Sequence, residues 1–161
     1  MLYSKQQVLD FLPHRDPFLF VDSIESINHT QLDASCGEIK VRDLVGVEIK
    51  GHYETQKTHP IFAGHFPKRP ILPGVVQVEM MAQISGFVVH YLYEDITKLD
   101  LEVALLSVSS AKFRRPIFPE MKLEVFSECI RARGIMVTNK CKVLHQGEVM
   151  SEAEVMASVK I

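Results

Sequence analysis

A histidine and a glutamate share the segment Gly64–Gly86, GHFPKRPILPGVVQVEMMAQISG. Pro67, Pro70 and Pro73 follow His65, and Glu79 then stands in a run of Val75, Val76, Val78, Met80, Met81 and Ile84. Charged side chains are almost never buried without a partner. A carboxyl in that setting needs an ion pair or a chemical task. An imidazole, titrating near ~6.5, can accept a proton at neutral pH. A carboxyl whose pKa is raised by desolvation can donate one.

The residues between them supply a third group. The prolines steer their preceding residues out of the helical region, so the stretch after His65 reads as a stiff strap. It leads into a helix starting at Pro73–Gly74, whose first turn has free N–H groups at the positive dipole end. Gly74 lets a ligand approach its N–H closely, and such an end can hold a carbonyl oxygen as charge develops on it. Gln83 lies at i+4 from Glu79, on the same helical face. Base, acid and oxyanion donor suit proton abstraction beside a thioester carbonyl with loss of a β-hydroxyl. The structural reading is a turn histidine, and a glutamate paired with Arg15, Lys68 or Arg69.

The elements that position these groups follow from the pattern on either side. Ser4 and Gln7 form a capping box for a short helix that turns Val8, Phe11 and Leu12 inward and stops before Pro13. Phe18–Ile27 reads as a strand, and Thr30–Val41 as a second. The stretch from Arg42 to Ala63 reads as a long loop with at most a short strand or turn. The segment from Pro73 to about Leu92 is apolar on nearly every face, which predicts a helix buried all round. Gln77, Glu79, Gln83 and His90 interrupt it, which argues against a membrane span. Four strands follow from residue 101 onward, with Gly134 and Gly147 at hairpin turns. The fold class is therefore α+β, an antiparallel β-sheet wrapped around one long central helix.

Composition narrows the function classes. A chain of 161 residues suits a single domain, 1–161, and 47% apolar residues are enough for a folded core. A net charge of −2 gives no field favouring nucleic acid or an anionic membrane. Cys36, Cys129 and Cys141 form no C-x-x-C pair, and the N-terminus carries no signal peptide. Free thiols in a reducing cytoplasm are expected. His52, His59 and His65 match no compact ligand spacing, so no metal is expected. Ser85 lacks a nucleophile-elbow context. His14, in LPHRDPF, reads as structural. Lys112, Arg114 and Arg115, in AKFRRP, read from the residues alone as a solvated face.

The segment GHFPKRPILPGVVQVEMMAQISG resembles the active-site signature of the FabZ-type 3-hydroxyacyl-[acyl-carrier-protein] dehydratases, with His-Phe-Pro, Pro-Gly-Val at a helix start and Glu-x-x-Ala-Gln. LPHRDPFLFVDSI and AKFRRPIFPEMKLEV resemble two further family segments, in the family's order. The resemblance implies a hot-dog fold, with homodimers as the unit, often three of them assembled into a hexamer. It implies catalysis by His65 of one subunit with Glu79 of the other, a Gly74 N–H on the thioester oxygen, and no metal or organic cofactor. It implies an acyl carrier protein bearing a 3-hydroxyacyl thioester as partner, with Lys112, Arg114 and Arg115 as its docking surface.

Three features depart from the family pattern. Lys68 and Glu120 stand where glycine is usual, and the Arg42–Ala63 connection is longer. Glu79 is glutamate where the sister FabA type, which also isomerises the double bond, usually has aspartate, which favours plain dehydration. Two other functions fit the same residues, a hot-dog acyl thioesterase and a non-catalytic acyl-carrier-binding module.

Overall fold

The computed structural model describes residues 1–32, 38–100 and 102–160. The chain opens with helix α1 (Lys5–Phe11), where the Gln7 side chain accepts from the Ser4 N–H at 3.0 Å. Val8, Phe11 and Leu12 are buried, as the spacing predicts. Strand β1 is Ser23–Asn28 and strand β2 is Glu48–Glu54. A short helix α2 (Ile61–Gly64) precedes the strap, and helix α3 (Gly74–Ser85) follows it. Strands β3 (Glu102–Phe113), β4 (Lys122–Arg133), β5 (Met136–His145) and β6 (Glu148–Lys160) complete the chain.

The six strands form one sheet in the order β1-β2-β4-β5-β6-β3, every neighbouring pair antiparallel. Helix α3 lies against β2, β3, β4, β5 and β6. Its axis continues as a 3-10 segment, Gly86–Leu92. Met80, Met81, Ile84, Phe87 and Val88 of this rod are fully buried. The central helix and the four C-terminal strands therefore stand where alternation and turn residues place them. Gly134 and Gly147 both have positive φ, +62° and +81°, at the hairpin turns.

Two parts of the N-terminal half differ from expectation. The strand expected over Thr30–Val41 falls partly on residues 33–37, outside the described residues. The described remainder is not strand, and Val41 opens a 3-10 turn. Its place beside β1 is taken by β2, inside the stretch that reads as loop. In β2 the inward positions are Ile49, Gly51 and Tyr53. A Cβ on Gly51 would come within 2.8 Å of Ile84 Cδ1 and 3.2 Å of the Ser23 carbonyl oxygen, so α3 rests on bare backbone there. The missing side chain erases the alternation that would mark the strand. The strand expected from Phe18 starts only at Ser23. Leu19, Phe20 and Val21 are buried in succession, and the Phe20 N–H goes to the Gln83 side chain at 2.8 Å instead of to a neighbouring strand.

Glu120 takes φ +65° in the turn before β4, its N–H bonded to the Thr55 carbonyl. An L-residue there costs roughly 1–2 kcal/mol, against roughly 0.5–1 kcal/mol of extra chain entropy that glycine loses on folding. Glu120→Gly is expected to stabilise by about 0.5–1 kcal/mol, read as a rise of roughly 2 °C in Tm.

Candidate active site

His65 caps α2 and is tied twice to one residue. Its carbonyl accepts the Ile71 N–H at 2.8 Å, and its ring Nδ1 lies 2.8 Å from the Ile71 carbonyl oxygen. A carbonyl can only accept, so Nδ1 carries the proton and Nε2 of the neutral ring keeps its lone pair. The Phe66 ring stacks on the imidazole at 4.0 Å between centroids. The strap starts as a tight turn in which Phe66 and Arg69 exchange backbone hydrogen bonds, leaving Lys68 exposed at its tip. It is then pinned by the Leu72 N–H on the Ile117 carbonyl at 2.8 Å.

Pro73 caps α3, and Gly74 is its first residue. The first N–H groups of a helix have no acceptor within it. The Phe113 ring lies over Gly74 so closely that a Cβ would stand 2.9 Å from two of its carbons. His65, Pro73, Gly74, Val75, Phe113 and Arg115 line one open groove of about 540 Å³. His65 and Gly74, the expected base and oxyanion donor, thus line one groove of one chain.

Glu79 does not line that groove. It lies against the N-terminal segment that carries His14, with the carboxyl Oε1 3.2 Å from His14 Nε2 and 2.9 Å from Gln83 Nε2. Gln83 sits against Glu79 as its i+4 position predicts, and its amide is fixed by the Phe20 N–H at 2.8 Å and the Phe18 carbonyl at 2.9 Å. The sequence reading has burial raising the Glu79 pKa, and here the structure corrects it. His14 holds the carboxyl below its ordinary value, burial opposes this in part, and Gln83 adds to the lowering. None of Arg15, Lys68 and Arg69 is the partner. Arg15 instead binds the carbonyls of Leu12 and His14, each at 2.7 Å.

The basic cluster is not a bare patch. Arg114 meets Glu152 at 2.7 Å, Lys112 approaches the same carboxylate at 3.9 Å, and Arg115 meets Glu148 at 3.3 Å. Among the described residues, Lys68 and Arg69 form no ion pair. The other two histidines of the spacing argument bind elsewhere, His52 to Glu25 at 2.6 Å and His59 to the Pro17 carbonyl at 2.9 Å. Among the described residues no group of three His, Cys, Asp or Glu could hold a metal. Burial pushes the Cys129 thiol up to about 11 and raises that of Cys141 as well; Cys36 lies outside the described residues. Among the described residues no helix is long and apolar enough to cross a membrane.

An antiparallel sheet wrapped around one central helix, with a histidine and a helix N-terminus on a common groove, is a hot-dog fold. The dehydratase heterocomplex ApeI:P of Xenorhabdus doucetiae superposes with a TM-score of 0.71 at 14% identity, over 96% of this chain and 91% of that one. A hot-dog-like protein of Thermanaerovibrio acidaminovorans gives 0.59 at 12% identity, over 76% and 88%. Residues 12–154 match the model of the FabA-like domain, and the chain belongs to that family. Among its relatives is the 3-hydroxyacyl-[acyl-carrier-protein] dehydratase FabZ of Magnetococcus marinus, 31% identical over 98% of this chain and 92% of the relative.

Proposed function

We propose that this chain dehydrates a (3R)-3-hydroxyacyl thioester on acyl carrier protein to the trans-2-enoyl thioester, in fatty-acid-type synthesis. His65 Nε2 takes the α-proton. The electron pair moves towards the carbonyl, whose oxygen is held by the Gly74 N–H, and then forms the double bond. The β C–O bond breaks with its electrons on oxygen, and Glu79 supplies the proton that turns the departing hydroxyl into water. The observation that carries this reading is the bond from His65 Nδ1 to Ile71, which leaves Nε2 free on the groove that Gly74 also lines.

The acid comes from a second copy. Glu79 is absent from the His65 groove of its own chain. Strand β3 is a sheet edge, and its apolar side chains, with Leu106 at 50% and Phe113 at 52% exposure, are open to solvent. An edge of this length with apolar side chains is a template for pairing. We assign it to the homodimer contact, and a trimer of such dimers would leave it intact. Arg114 and Arg115 line the same groove, and with Lys112, on β3 beside them, would receive acidic groups of the carrier in exchange with Glu148 and Glu152. That contact would weaken with salt.

The test uses two inactive variants, His65→Ala and Glu79→Gln, with enoyl absorbance and thiol release read together. Each alone should lose turnover. Co-expressed at equal levels, half of the dimers are mixed and carry one intact site of two, so about a quarter of wild-type activity should return. A mixture no better than either variant would place the site within one chain. Thiol release without enoyl product would assign a thioesterase instead, and binding of the carrier with neither signal a non-catalytic module.

A further inference from the structure

Glu79 Oε1 has two donors, His14 Nε2 and Gln83 Nε2, whereas among the described residues Oε2 has none. The Gln83 amide is neutral and locked by the Phe18 and Phe20 backbone. His14 is therefore the ionisable group on this carboxyl. Its own stretch of chain carries two further charges, Arg15, which is engaged with the Leu12 and His14 carbonyls, and Asp16, two residues on. The Phe18–Phe20 segment offers backbone groups only, and these go to Gln83. In the proposed dimer the second copy adds His65.

His14 makes a poor purely structural tie. Its Nδ1 is buried with no partner among the described residues. The arrangement also meets a chemical need. A lone carboxyl held low would be ionised wherever an imidazole base is free, so the base would be ready and the acid empty.

We propose that His14 and Glu79 share the proton that leaves with the hydroxyl, so that the pair and not the carboxyl alone is the acid. This rests on Glu79 being the acid of the reaction. The pair holds one proton. It departs from Glu79 Oε2 as the C–O bond breaks, and the remaining carboxylate stays bonded to neutral His14. The proton gathered by His65 returns to solvent, and solvent reloads the pair. His14 acts through Glu79 and is a positioning residue. Because an imidazole loses its proton about two pH units above a carboxyl, the shared acid persists into the range where the base works.

The experiment is kcat against pH from about 5 to 9 for the wild type, His14→Gln and Glu79→Gln. Glutamine can still donate to Oε1 but cannot carry the proton. The alkaline limb of His14→Gln should move about 1–2 units towards acid, with kcat at pH 8 down roughly 10- to 100-fold and a much smaller loss at pH 5.5. A limb coinciding with the wild type would overturn the proposal, whatever the absolute rate. Should His14→Gln melt early, 15N shifts of the His14 ring decide: its titration should move in Glu79→Gln, and an unmoved midpoint overturns the shared proton. Near-wild-type turnover by Glu79→Gln would instead remove the reading beneath it.

Discussion

His65→Ala is expected to lower kcat by about 10²- to 10⁴-fold, the usual worth of a positioned general base. The fold loses the side-chain bond to the Ile71 carbonyl and the stacking on Phe66, while the backbone pairing of His65 and Ile71 remains. One such hydrogen bond contributes about 1 kcal/mol, so the melting temperature should fall by only a few degrees. His65→Asn separates the two roles. Its amide can reach the same carbonyl but offers no basic nitrogen, so it should melt like the wild type and remain inactive. Enoyl absorbance with a circular dichroism melt reads both. A folded His65→Ala within tenfold of wild-type kcat would remove the imidazole from the chemistry.

The second large effect is on stability. Phe87 is 0% exposed and stands where α3 has passed into its 3-10 continuation. Its ring lies 4.7 Å from that of Phe11 and 5.6 Å from that of Tyr3, so it holds α1 and Tyr3 to the rod. Tyr3 in turn reaches His90 Nδ1 at 2.6 Å. Phe87→Ala should cost about 3–5 kcal/mol, from lost transfer energy and the cavity left behind. That is a large share of the ~5–15 kcal/mol that stabilises a typical domain. It should appear as a drop of roughly 6–20 °C in Tm. A drop below 2 °C would mean that the surroundings close over the gap and that Phe87 is not the anchor of α1.

The helix is legible as a proline-free apolar run opened by Pro73–Gly74, and the last four strands by their Val, Ile and Phe content, with alternation in β4 and β5 and turn glycines at Gly134 and Gly147. Strand β2 is not, because the position that should announce it is Gly51, chosen by the closeness of α3 and not by the strand. Phe18–Val21 misleads for the opposite reason. It has strand composition, but its backbone is committed to Gln83, far along the chain. The site shows the same division. His65, Gly74, Glu79 and Gln83 can be picked from one segment, since their spacing along strap and helix is local. The direction of the Glu79 shift cannot, because burial alone points upward, and the group that reverses it, His14, reaches the carboxyl only through the tertiary fold. LPHRDPF does hold a trace of this, a histidine fixed between two prolines. The neutralisation of Arg114 by Glu152 is likewise visible only once β3 and β6 are paired.

On the proposed reading, the bare edge of β3 would make catalysis a property of association. If that strand finds its neighbour only in another molecule, the finished site forms at a rate second order in chain. Turnover per milligram should then decline on dilution below the dissociation constant, and recover on concentrating, with no change in any residue.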